Sequence, residues 1–151
     1  MENIDVLRLQ LTGSLLQVGR RWRQVTHDAV TVYGVSAACA TALVFIGRLG
    51  EGVNQVALAE QIGIEGASLV RQIDQLSELG LVRRERGATD RRANTLWFTD
   101  AGREAAAKIE AELVKLRASV FKEISQQDLE ATLRVFHALE QAASPTHSMT
   151  S

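Results

Sequence analysis

The sequence predicts a mostly α-helical protein carrying one small β-hairpin, and three observations lead to that reading. Apolar residues recur at mixed spacings of three and four along most of the 151 residues, and Pro145 is the single proline. Glycines fall where these runs stop, at Gly34, Gly50, Gly63 and Gly80. One stretch, 81–99, LVRRERGATDRRANTLWFT, has a different character. Leu81-Val82 before it and Leu96-Trp97-Phe98-Thr99 after it suit extended chain, and Gly87-Ala88-Thr89-Asp90 has turn chemistry.

Taken in order, residues 4–30 form a first amphipathic helix, with apolar positions at Val6, Leu9, Leu11, Leu15, Leu16, Val18, Trp22 and Val25. Tyr33-Gly34 breaks it, and Ser36 is placed to cap a second helix running to about Leu49, packed through Ala42, Leu43, Phe45 and Ile46. Asn54 caps a short helix, 55–62, with Val56, Leu58, Ala59 and Ile62 expected inward. Gly63 allows a tight turn into a fourth helix, about 66–79, whose inward stripe is Leu69, Ile73 and Leu76 with Val70 at its edge. The hairpin follows. Thr99 or Asp100 then caps a helix over about 101–122, and 126–143 makes the last one.

Composition bounds the function without naming it. Hydrophobic residues are 46% and charged residues 23%, as in an ordinary globular domain, and the length suits one domain. The net charge is −1, so the chain as a whole is no polycation; yet segment 83–92 alone carries +3, five arginines against Glu85 and Asp90. Cys39 is the only cysteine, which excludes an intramolecular disulfide and a cysteine metal cluster. His27, His137 and His147 share no i,i+4 spacing, so no metal is expected. The start, MENIDVLRLQ, is no secretory signal and no 18-residue apolar run exists, which makes a cytoplasmic location the expectation. No phosphate loop, no G-x-S-x-G and no H-E-x-x-H occurs, so neither enzyme activity nor a cofactor is expected.

Two short helices across a tight turn, followed by a hairpin, is the order of a winged helix-turn-helix. The second of these helices is of a size to enter a major groove, with Ser68, Arg71, Gln72 and Gln75 facing outward. Arg71 suits guanine and Gln72 suits adenine. The same face also fits a solvated helix surface. At the hairpin tip, Arg92 suits a narrow minor groove and Arg91 a phosphate, Arg86 beside them is a further DNA-binding candidate, and Asp90 is placed to hold the Arg92 guanidinium. The alternative there is an exposed charged loop that keeps an edge strand soluble. Arg83, Arg84 and Arg86 also read as strand residues with cationic ends, which leaves Asp90, Arg91 and Arg92 as the sharper wing candidates.

From Val53 to Gly102 the sequence resembles the multiple-antibiotic-resistance regulator (MarR) family. The resemblance rests on LAEQIGI, on VRQIDQLSELGLVRR, on Asp90-x-Arg92 and on FTDAG, where the family usually has LT-x-x-G. Glu65 and Ala67 depart from it, standing where Ser or Thr is frequent. The resemblance implies a winged-helix lobe over about 36–99 and dimerisation helices over 4–30 and 101–143, while residues 144–151 read by themselves as a flexible tail. It implies a homodimer on a pseudo-palindromic double-stranded DNA operator, usually a repressor, with Ser68 and Arg71 on the recognition helix and Asp90 and Arg92 in the wing. The apolar surplus of the terminal helices supports dimerisation independently, and a two-fold dimer sets two recognition helices roughly 34 Å apart.

The resemblance further implies release by a small aromatic acid or phenol. Trp22, Arg23, His27, Tyr33, Phe45 and Arg48 are the candidate effector residues, combining aromatic walls with cations that suit a planar carboxylate. Trp22 and Phe45 equally fit a core. Two other readings stay open: a winged helix that meets an acidic protein partner, and a redox-sensing regulator that uses Cys39, although alanines around that residue favour a buried structural thiol.

Overall fold

The structure is a computed structural model that describes residues 2–144. The expected tail, apart from Ser144, lies outside the described residues, as do Pro145 and His147. The chain divides into two compact units, one up to Leu116 and one from Arg117 onward.

The first unit begins with α1, Asn3–Val30, and a 3-10 turn at Thr31–Tyr33. Gly34 adopts φ 76°, a left-handed conformation that ends the turn. In α2, Ala37–Leu49, the Ser36 side chain accepts the Cys39 N–H and so satisfies one orphan donor of the first turn. Strand β1, Val53–Asn54, leads directly into α3, Gln55–Ile62, where the Asn54 carboxamide oxygen accepts the N–H groups of Val56 and Ala57. Gly63 at φ 79° turns the chain into α4, Gly66–Glu78. The hairpin is β2, Val82–Arg86, and β3, Asn94–Phe98, joined by residues 87–93. Helix α5, Asp100–Val120, follows, with the Thr99 hydroxyl accepting the Gly102 N–H at 3.0 Å.

The sheet has three antiparallel strands in the order β1-β3-β2, with Val53 opposite Leu96 and Val82 opposite Phe98. The sequence reading has no counterpart for β1. The hairpin loop also runs three residues beyond Asp90, the end of the expected turn.

One apolar core joins these elements. Leu43 and Ile46 of α2, Leu58 of α3, the Leu69-Ile73-Leu76 stripe of α4, Leu96 of β3 and Ile109 of α5 are fully buried. Each such side chain contributes roughly 1.5–3 kcal/mol. Val56 differs from expectation: it is 68% exposed, while Leu58 and Ala59 are buried and Ile62 packs half-buried against the core.

Residue packing explains FTDAG. A Cβ on Gly102 would fall on the Leu81 backbone carbonyl, so α5 passes where only glycine fits. Thr99 completes the junction, its N–H donating to the Leu81 carbonyl at 3.2 Å and its hydroxyl to the Gly80 carbonyl at 2.6 Å.

The second unit holds α6, Gln126–Ala142, capped by the Ser125 side chain, which accepts the Asp128 N–H. None of its residues is buried, although Leu129, Leu133, Val135, Phe136 and Leu139 are apolar. Helix α1 shows a comparable surplus, with Leu7, Leu9, Leu16 and Val18 all more than half exposed. Among the described residues no single helix is long and apolar enough to cross a membrane.

Candidate nucleic-acid interface

Burial of Leu69, Ile73 and Leu76 fixes the rotation of α4, and this places Ser68, Arg71 and Gln75 along one outward stripe at helical spacing. Arg71 and Gln75 are exposed, and Ser68 and Gln72 half-buried. Arg71 reaches back to the Ser68 hydroxyl only loosely, at 3.5 Å. The Gln75 side chain, unlike the others, is held from behind: its Oε1 lies 3.2 Å from the Cys39 thiol. Glu65 stands at the N-cap position of α4, and its carboxylate makes no capping bond.

The wing sorts its five arginines into two groups. Arg84 donates to Asp74 at 2.7 Å, to Gln55 at 3.0 Å and to the Val70 carbonyl at 3.3 Å, so it ties β2 to α3 and α4. Arg83 pairs with Glu85 at 3.0 Å, donates to the Phe98 carbonyl at 2.9 Å and lies 5.5 Å from the Trp97 ring centre, a cation–π distance. The guanidinium groups of Arg86, Arg91 and Arg92 have no partner among the described residues, and all three residues are exposed. The unpaired cations thus gather at the tip and at the strand end beside it.

Asp90 does not hold the Arg92 guanidinium. Its Oδ1 accepts the Arg92 backbone N–H at 2.9 Å, an Asx-type turn. A carboxylate two residues away reaches the backbone more easily than the end of a long side chain, and the guanidinium is left outward. Bonds from the Gly87 N–H to the Ala93 carbonyl at 2.8 Å and from the Ala93 N–H to the Asp90 carbonyl at 3.1 Å close the loop. A Cβ on Gly87 would stand 2.6 Å from the Asp90 carbonyl oxygen, so this corner also requires glycine.

The candidate effector residues are spread over α1, the 3-10 turn and α2. Tyr33 and Phe45 are half-buried against the core, Trp22 is half-buried on α1, and Arg23 and His27 are exposed there. Only Arg48 lines a cleft, one of about 560 Å³ between α2 and α5. Its apolar wall includes Leu43, Val44, Phe98 and Ala106. Two ion pairs border it, Arg48–Glu110 at 2.6 Å and Arg103–Glu51 at 3.0 Å. The second Glu110 oxygen is buried without a hydrogen-bond partner among the described residues. Glu51 also accepts the Phe98 N–H at 2.9 Å, which links the cleft to the end of β3. The Arg103 hydrogen bond, and then the Phe98 N–H, hold the Glu51 carboxyl below the usual carboxylate range.

A helix-turn-helix with a cation-tipped hairpin, its sheet completed by a short strand, defines a winged-helix protein. The sequence profile of the MarR family matches residues 33–93. The transcriptional regulator PA3341 is 31% identical to this chain, with 87% of this chain and 98% of that one covered at a TM-score of 0.74. CouR from Rhodococcus jostii RHA1, solved with p-coumaroyl-CoA, is 25% identical over 83% of this chain and 87% of its own, at a TM-score of 0.74. The transcriptional repressor CouR on a 23-mer DNA duplex shares the fold at 22% identity, with 93% and 99% covered and a TM-score of 0.77. The chain belongs to the MarR family of transcription regulators.

The site has three components that sequence reasoning missed: the thiol behind Gln75, the Arg84–Asp74 tie and the Glu51–Phe98 link. All three are tertiary contacts between residues ten or more positions apart. The opposite charges of Arg84 and Asp74 were the only available signal.

Proposed function

We propose that the protein is a homodimeric repressor that binds a pseudo-palindromic operator and leaves it when a small aromatic acid or phenol binds. The observation that carries this reading is the division of the wing arginines: two are spent on internal contacts, while Arg86, Arg91 and Arg92 stay unpaired in solvent. Unpaired guanidinium groups on a projecting hairpin suit a minor groove, and α4 presents Ser68, Arg71 and Gln72 to the major groove beside it. CouR, of the same fold, has been solved on DNA. Unburied apolar faces on α1 and on α6 support a second copy as partner. For the effector, the α2–α5 cleft offers an apolar wall and the Arg48 cation, and the CouR complex with p-coumaroyl-CoA supports an aromatic acyl ligand class.

The test is a mobility shift on promoter DNA beside the protein's own gene. Binding is expected to weaken steeply as salt rises, because phosphate contacts release counterions. Arg92→Ala is expected to weaken binding across sequences. Binding that is indifferent to salt, or absent at low salt, rejects the DNA reading. An aromatic acid is then expected to raise the melting temperature and release the DNA, and Arg48→Ala to abolish both responses.

A further inference from the structure

We infer that Cys39 fixes the polarity of Gln75, so that Gln75 offers DNA its amide donors and withholds its acceptor. This rests on the DNA-binding reading and adds to it a base preference for one position of the recognition helix.

Cys39 lies in the first turn of α2 and is 2% exposed. Its Sγ is 3.2 Å from Gln75 Oε1 and 3.8 Å from the Gln72 carbonyl oxygen. A thiol has one proton to donate. The Gln72 carbonyl already accepts within the helical ladder of α4 and is farther away, so the proton goes to Gln75. With Oε1 engaged behind the helix, the carboxamide turns its NH₂ group away from the thiol. Gln75 continues the stripe, two turns beyond Ser68 and one beyond Arg71; its Oε1 keeps a second lone pair but lies against a buried thiol, so the exposed end it presents is the donor.

The chemistry of the bases turns this into specificity. A free glutamine reads adenine with both ends, accepting from N6 and donating to N7. A donor-only glutamine loses that match and favours edges that present acceptors, guanine N7 and O6 or thymine O4. The preference at this position thus depends on a buried side chain that touches no DNA. Cys39 is a positioning residue, and Gln75 makes the contact.

The experiment is selection from a duplex library with a randomised half-site, using the full-length protein and the variants Cys39→Ala, Cys39→Ser, Gln75→Lys and Gln75→Glu, each first checked for an unchanged melting transition. The wild type, Cys39→Ser and Gln75→Lys are expected to share a guanine or thymine preference at one position, since serine keeps a donor and lysine is donor-only. Cys39→Ala is expected to shift that position toward adenine by about fivefold, the worth of one hydrogen bond, and Gln75→Glu to shift it toward cytosine. If Cys39→Ala selects the same base as the wild type, the inference is overturned while the DNA-binding reading stands. If no protein enriches any sequence, the DNA-binding reading fails and this inference falls with it.

Discussion

Arg84 and Arg92 carry the same side chain eight positions apart, and their surroundings assign them opposite work. Arg84 is bound on three sides by Asp74, Gln55 and the Val70 carbonyl. Arg84→Ala is expected to lower stability by about 1–3 kcal/mol in urea denaturation, because partly buried acceptors lose a charged donor. Arg92→Ala removes no internal contact and is expected to leave the unfolding midpoint unchanged while weakening DNA binding. Equal stability losses would mean that the two arginines are not divided in this way. Gly102 gives a third case at this scale: Gly102→Ala places a methyl on the Leu81 carbonyl and is expected to cost about 3 kcal/mol. Gly66→Ala at the start of α4 meets open space, and is expected to be neutral or slightly stabilising in the same assay.

At the scale of elements, local chemistry was legible and nonlocal pairing was not. Ser36, Asn54 and Gly63 mark helix ends through bonds to neighbours within four residues, so the ends of α2 and α3 could be read directly. Strand β1 could not, since two residues have no period and Val53-Asn54 is extended only because β3 lies beside it. The wing was visible as a cluster of arginines; Arg83 and Arg84, which the sequence reads as strand residues, are held by the Phe98 carbonyl and by Asp74, partners that are distant in sequence. The expected Asp90 contact was right in residue and wrong in atom. A cleft is a property of packed helices, and of the six candidate effector residues Arg48 lines the one between α2 and α5.

The Glu51 link between β3 and α5 gives a pH prediction at the same scale. Its carboxyl is held low in the folded protein by Arg103 and the Phe98 N–H. A depressed folded value means that the link stabilises the fold above the ordinary carboxylate range and is lost as pH falls through the lowered value. Melting temperatures of the wild type and Glu51→Gln are therefore expected to differ at neutral pH and to converge in acid. A difference that persists undiminished in acid would show that the carboxylate charge is not what stabilises the junction.

For the whole molecule, the question is what covers the apolar faces of the terminal helices. Leu16 on α1 is 68% exposed and Leu133 on α6 is 64% exposed. Faces of this kind are costly to leave in water, and a second copy is the proposed cover. Leu133→Asp is expected to convert a dimer to a monomer in sedimentation, to keep the helical circular dichroism, and to weaken operator binding by more than tenfold, since each recognition helix would then bind alone. A wild type that sediments as a monomer at micromolar concentration would refute the dimer.

The third strand has a further consequence. With β1 paired to β3, Thr99 holding the Gly80 and Leu81 carbonyls, and Glu51 holding Phe98, the base of the hairpin is secured independently of its tip. Residues 87–93 contribute no side chain to the buried core. Apart from Gly87 and Asp90, which shape the loop, the tip is thus built from side chains the fold does not use. Side chains at Ala88, Thr89, Arg91 and Arg92 can therefore vary without compensating changes in the interior, so the surface this tip offers is free to change while the fold stays fixed.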